Sequence, residues 1–337
     1  MAVFFLLVGL EIKRELVGGE LSTPSKAMLP IICAIGGALV PAIIFAAFNK
    51  GEGTAGGWGI PMATDIAFAL AILSLLGNKV PVSLKIFLAA LAIVDDLLAI
   101  LVIAVFYSSH LQYLNLCYAG GLVALLFLFN KLGIKHLAFY IIPGMVMWYF
   151  IHQSGIHATI AGVLTAITLP MTNTGSKKPP LERLEHGLTK PVNLLIIPLF
   201  AFANTNIRFD KGMVDGLFTS LGMGIVFGLL IGKPLGIFLV SWLSIKTKIC
   251  QLPSGANWRH ILGIGLLAGI GFTMSIFITL LSFSNPAIVS TAKFSILTGS
   301  ALSGLLGYVL LRTNKIKGRE KSHGGNNTTR QKQAGNK

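Results

Sequence analysis

Four charged residues stand where a charge is costly. Asp65 lies in ATDIAFAL, Asp95 and Asp96 lie side by side in ALAIVDDLLAILVIAVF, and Lys233 lies in FGLLIGKPLGIFLV. A charge at the centre of a bilayer costs about 2.5–3.5 kcal/mol on insertion scales, so such residues mark an ion or proton pathway or answer one another as partners. Three carboxylates against one ammonium leave the group negative unless protons or a cation complete it. Neighbouring residues on a helix point about 100° apart. One member of the Asp95–Asp96 pair can therefore face Lys233 while the other faces a water-filled cavity, and the two should titrate as one coupled unit. Carboxylate and hydroxyl oxygens suit a hard cation such as sodium, and Asp95, Asp96 and Thr64 supply them. Competition between the cation and protons for the same oxygens is the minimal chemistry of exchange. A buried ion-pair network with a purely structural role is the plain alternative.

Asp65 and Lys233 have a second possible task. A helix broken at mid-membrane exposes a partial positive charge at each N-terminus and a partial negative one at each C-terminus. If the segments 58–76 and 260–283 are crossed broken helices, Asp65 can neutralise the N-termini and Lys233 the C-termini.

The elements that must position these residues are membrane helices. The chain has 337 residues, 54% hydrophobic and only 12% charged, where a soluble domain carries about 25% charged residues. Its mean hydropathy is +0.77. Apolar stretches about as long as a bilayer is thick recur near 1–17, 27–48, 58–76, 82–107, 113–130, 137–151, 155–170, 191–204, 216–242, 260–283 and 290–312. Residues 1–312 therefore read as one transmembrane domain of about eleven spans, and the polar, basic residues 313–337 as a disordered tail. Met1 opens directly in MAVFFLLVGL, with no basic region or cleavage site of a signal peptide before it. Only about ten apolar residues precede Glu11, half of what a span needs. The first span reads as truncated, with a helix missing ahead of it.

The formal net charge of +15 comes from 27 Lys and Arg against 12 Asp and Glu. Of these basic residues 22 lie in one alternating set of loops and in the tail, and three (Lys50, Arg208, Lys211) lie in the other set. This is the positive-inside pattern of a multi-pass inner-membrane protein with a cytoplasmic C-terminus. It accounts for the basic excess without nucleic acid, and leaves membrane lipids as natural partners of the tail. Cys33, Cys117 and Cys250 have no CxxC spacing and read as small hydrophobes.

Two triplets of stretches, 27–107 and 216–312, would insert with opposite topology, and each has an interrupted middle member. Pro61 precedes Thr64 and Asp65 in the first, and Gly263, Gly265, Gly269 and Gly271 punctuate the second. Paired interruptions in inverted repeats point to a binding site near the bilayer midplane. Gly and Pro that merely permit close helix packing are the alternative. Weaker candidates are His157 in SGIHATIAG, a pH-responsive or a capping histidine. The cluster Glu182, Arg183, Glu185 and His186, in the long loop 171–190, is a pH-responsive patch or a solvated helix. Glu11, Lys13, Arg14 and Glu15 carry the same ambiguity.

At these residues the sequence resembles the NhaA family of bacterial sodium/proton antiporters. The strings FFLLVGLEIKRE, ATDIAFAL, LKIFLAALAIVDDL, SGIHATIAG, RLEH, PLFAFAN, GLLIGKPLG and GIGFTMSIF occur in the family's order across about 1–312. The resemblance implies an all-α polytopic membrane protein of twelve helices, an inverted-repeat transporter with two crossed discontinuous helices. It implies pH-regulated antiport of Na+ (and Li+) against H+, with no cofactor. Asp95 and Asp96 would bind the transported Na+ and the protons, and Lys233 would be the charged partner of Asp95. Asp65 and Thr64 would lie at the helix break, and Glu11, Glu185 and His157 in the pH-response regions. The family's homodimer contact follows its first helix, which this chain is expected to lack, so that contact is not expected within these residues.

Other classes fit less well. DDLLA resembles the DDxxD of membrane prenyltransferases, but Ala99 replaces the last Asp and no second Asp-rich motif follows. The GxGD context of aspartyl intramembrane proteases and HExxH are absent too. A passive cation channel sits poorly with a lone membrane lysine and a single carboxylate pair.

Overall fold

A computed structural model describes residues 1–108, 111–171, 178–205 and 211–314. Residues 315–337 of the expected tail, and Arg208 of the opposite loop set, lie outside the described residues. Every apolar stretch is helical, and no strand occurs among the described residues. The helices are α1 (Ala2–Gly18), α2 (Pro24–Phe48), the interrupted α3, α4 (Val82–Phe106), α5 (Tyr113–Lys131), α6 (Ala138–Gln153) and α7 (Thr159–Thr168). They continue with α8 (Pro180–Asn204), α9 (Ser220–Lys246), the interrupted α10 and α11 (Pro286–Thr313). Among the described residues seven helices are long and apolar enough to cross a membrane, and one bent pair makes an eighth span. The chain is an all-α, multi-pass membrane protein.

The two interruptions fall where Pro and Gly forecast them. In α3 the half α3a (Ala55–Met62) is a 3-10 helix, and the half α3b (Ile66–Leu75) begins after the extended residues Ala63 and Asp65. Pro61 contributes no N–H to a continuing ladder. In α10 the halves α10a (Trp258–Ala268) and α10b (Phe272–Ser282) meet at a 46° bend. Glycine is required at this bend, because a Cβ on Gly269 would strike the Leu229 carbonyl and one on Gly271 would strike the Ser275 hydroxyl.

Two proline-driven adjustments shape the other long helices. α8 and α9 each contain a five-residue π turn, Val192–Ile196 and Gly228–Gly232. Each is followed by one residue and then a proline, Pro198 and Pro234. The proline ring cannot accept the carbonyl four residues back, and the wider turn absorbs the mismatch. The second such turn ends directly before Lys233 and so sets where that side chain leaves the helix. α8 begins ahead of the apolar stretch 191–204. Residues 180–190, placed above in the long loop with a solvated helix as one reading of the Glu182–His186 cluster, are helical and not wholly solvated, because Leu181, Leu184 and Leu188 pack onto the apolar core beside α5, α6 and α7.

The triplets α2–α3–α4 and α9–α10–α11 form the repeat, joined most closely where α2 meets α9. Small residues permit that approach: a Cβ on Gly236 would collide with the Gly36 carbonyl. Leu84, Leu88 and Leu91 of α4 belong to one buried apolar cluster, whereas Ile93, Val94 and Ala99 belong to another. Asp95 and Asp96 sit at the junction of the two.

Candidate ion-binding site

The two interrupted helices cross at their breaks and complete each other's hydrogen bonding. Asp65 N–H donates to the Ile270 carbonyl at 2.6 Å. The Thr64 hydroxyl lies 2.8 Å from the Ala268 carbonyl, and the Ser275 hydroxyl donates to the Ile60 carbonyl at 2.7 Å. Each contact meets a backbone group that an unbroken helix would have satisfied itself.

The Asp65 carboxylate spans both exposed N-termini. Its Oδ1 accepts from Phe68 N at 3.3 Å, capping α3b, and its Oδ2 accepts from Thr273 N at 3.0 Å and from the Thr273 hydroxyl at 2.5 Å, in the first turn of α10b. A carboxylate at two helix N-termini is held by hydrogen bonds and by both dipoles. On the opposite side Lys233 Nζ donates to the Met62 carbonyl, the last of α3a, and to Asp95 Oδ2 at 2.6 Å. Lys233 thus meets one of the two C-termini. The carbonyl end of α10a is met by Thr64 instead.

All of these groups are removed from solvent and lipid. Asp65, Asp95 and Asp96 are 3%, 2% and 2% exposed, and Thr64 and Lys233 are fully buried. Asp65 is answered by helix ends and Asp95 by Lys233, which leaves Asp96 as the carboxylate without a cation. The Oδ1 atoms of Asp95 and Asp96 are buried and have no hydrogen-bond partner in the protein. A buried carboxylate oxygen without a donor is costly, and a proton or a hard cation would relieve it. Thr64 adds a constraint of its own. Its hydroxyl lies 2.6 Å from Asp95 Oδ2 and 2.8 Å from the Ala268 carbonyl, but it carries a single proton. An ionised Asp95 takes that proton; a neutral Asp95 donates its own and frees Thr64 to serve Ala268.

The sequence of the family described as Na+/H+ antiporter 1 matches residues 1–311. The chain belongs to the NhaA family of Na+/H+ antiporters. The Na+/H+ antiporter NhaA 2 of Flavobacterium johnsoniae is 64% identical over 319 residues, covering 94% of this chain and 78% of that protein. The Na+/H+ antiporter NhaA of Flavobacterium psychrophilum is 54% identical over 312 residues, 93% of this chain and 81% of its own length. That of Bordetella parapertussis is 50% identical over 319 residues, with 93% and 80% covered. The NhaA name describes ion exchange across a membrane, not catalysis of a chemical reaction.

The remaining candidates of this NhaA-family chain take no part in the hydrogen bonds of the crossing, but Glu11 stands near enough to Asp96 to interact with it electrostatically and His157 meets α10b at Phe277. Glu185 on α8 is buried and is paired with Arg14 of α1, which also binds Glu15 Oε1 at 2.9 Å. Glu11 is half-buried on α1. Lys13 donates to the carbonyls of Ile167 and Leu169 at 2.5 Å each, closing the C-terminus of α7. The half-buried His157 stands before α7, its Nδ1 3.1 Å from the Thr159 hydroxyl and its ring edge-on to Phe277. Sequence reasoning passed over Thr273, Ser275, Ser300 and Ser303, although the first two stand in the quoted string GIGFTMSIF beside the glycines of the break. No group of three or more His, Cys, Asp or Glu side chains is placed to hold a metal ion among the described residues. The sodium in the names of these relatives is cargo rather than a resident cofactor.

Proposed function

We propose that this chain exchanges Na+ (and Li+) for H+ across the bacterial inner membrane at the Asp95–Asp96 pair. Asp96 alternates between proton and cation, with Asp95 and Thr64 as the other oxygens of the site. Lys233 and Asp65 compensate the helix ends that the crossing exposes. The observation that carries this reading is the charge imbalance at the crossing: three buried carboxylates stand there with one buried ammonium, and Asp96 is the one answered neither by Lys233 nor by helix N-termini. Buried charge without a partner is unfavourable by several kcal/mol. The site is therefore occupied by protons or by a cation, and the two exclude each other. Glu11, Arg14, Glu185 and His157, at or near the ends of α1, α7 and α8, form the regulatory reading, in which pH acts on packing between these helices. The cytoplasmic side of the C-terminus follows from the distribution of Lys and Arg.

Direct competition has a measurable signature. Where one proton is displaced per sodium, the apparent KM for sodium in proteoliposomes should fall about tenfold per pH unit and level off at alkaline pH. Exchange is therefore weak at acidic pH and strong at alkaline pH. A KM that stays constant between about pH 6 and about pH 8.5 contradicts competition for shared oxygens.

A further inference from the structure

Each break is supported by the third helix of its own repeat, but with different chemistry. In the first repeat α4 reaches the break through Asp95 and Thr64, residues separated by 31 positions. In the second repeat α11 reaches the break through Ser300 and Gly271, separated by 29. Ser300 Oγ accepts the Gly271 N–H at 3.2 Å, and the Ser303 hydroxyl, one turn on, donates to the Leu266 carbonyl at 2.7 Å. Ser303 is fully buried and Ser300 is 6% exposed. Where the first repeat places carboxylates, the second places hydroxyls, which hold backbone groups without taking up charge.

The two serines grip the break from both sides. Leu266 and Gly271 bracket Ala268 and Ile270, whose carbonyls meet the Thr64 hydroxyl and the Asp65 N–H. Thr64 in turn touches Asp95. We propose that Ser300 and Ser303 are positioning residues for the ion site: α11 sets the height of residues 266–271, and through Thr64 and Asp65 it sets the geometry that the Asp95–Asp96 pair offers to sodium. The inference rests on the assignment of that pair as the ion site. Leu266 O keeps a second donor in Gly269 N–H at 3.0 Å, so α10a survives loss of Ser303. Gly271 N–H loses its acceptor when Ser300 is truncated, and its segment shifts to find another.

The test is antiport in proteoliposomes by the full chain carrying Ser300→Ala and Ser303→Ala together. Loss of such bonds should raise the apparent KM for sodium about tenfold while the maximal rate stays within about twofold. Ser303→Cys, which keeps a weak donor, should recover part of the loss when it replaces Ser303→Ala on the Ser300→Ala background. Ser295→Ala is the control, since Ser295 is a fully buried serine of the same helix that bonds only the Thr291 carbonyl of its own helix; its KM should match the parent's. A double variant with the parent's KM, a Ser295→Ala variant shifted as far, or a fall in maximal rate at constant KM would overturn the proposal. If the double variant does not accumulate, the single Ser300→Ala and Ser303→Ala variants decide it by the same criterion with smaller shifts. Failure here is separable from failure of the site itself: an Asp96→Asn chain that still exchanges sodium removes the site, whatever the serines do.

Discussion

Asp96→Asn is expected to abolish sodium-driven proton movement while leaving the protein folded. The amide matches the carboxylate in shape, but it can neither release a proton at working pH nor present a full negative charge to a cation. The structure makes the case stronger for Asp96 than for its neighbour. Asp95 shares its charge with Lys233 at 2.6 Å, and its Oδ2 also faces Thr64, so its loss would disturb folding and transport together. Asp96 stands 2% exposed with Oδ1 unpartnered, so neutralising it relieves a buried charge and should cost no stability. Everted vesicles given a pH gradient and then sodium read the outcome. Dissipation of the gradient by the Asp96→Asn protein at more than about a hundredth of the parent's rate would remove Asp96 from the reaction, since general acid–base roles of single groups are worth about 100-fold or more.

Lys233 offers the opposite balance of stability and transport. It is fully buried, pairs with Asp95, and closes the carbonyl end of α3a through Met62. Lys233→Ala leaves Asp95 as an uncompensated buried charge and exposes a helix end, and removal of one partner of a buried pair costs about 3–5 kcal/mol. Its melting temperature in detergent should therefore fall well below that of Asp96→Asn. Lys233→Arg should retain more stability because the charge survives, although a planar guanidinium fits poorly where an ammonium donates to two oxygens at right distance. Asp95→Asn combined with Lys233→Gln removes both charges, and the glutamine amide still offers a donor to Met62; much of the lost stability should return. The double-mutant cycle should give a coupling energy of about 1–3 kcal/mol. A coupling energy near zero means that Asp95 and Lys233 act independently, whatever their distance.

Much of this architecture was legible in the sequence because the bilayer makes the reading strict. Apolar length located the helices, and Pro61 with the glycines at 263–271 located both breaks, since few other residues interrupt a helix in lipid. The charged residues stood out against an apolar background for the same reason. What stayed hidden depends on partners distant in sequence. Ser300 and Ser303 look like any small residues of a packed membrane helix, and only the crossing shows which backbone groups they meet. A helix around Glu182–His186 was one of the readings the sequence allowed, but its packing was masked by its charged face, because Leu181, Leu184 and Leu188 alone give its buried side. The π turns of α8 and α9 were written in the spacing before Pro198 and Pro234, but a proline inside an apolar run signals a kink more often than a wide turn.

The most direct measurement of the central claim is sodium binding itself, made by titration calorimetry on the purified protein in two buffers of different ionisation enthalpy. The difference between buffers counts the protons released per sodium bound. If exchange runs at the aspartate pair, the parent protein releases about one proton per sodium near neutral pH, and Asp96→Asn shows neither binding heat nor proton release. Sodium binding by the parent with no change between buffers, or undiminished binding by Asp96→Asn, would contradict exchange at the aspartate pair.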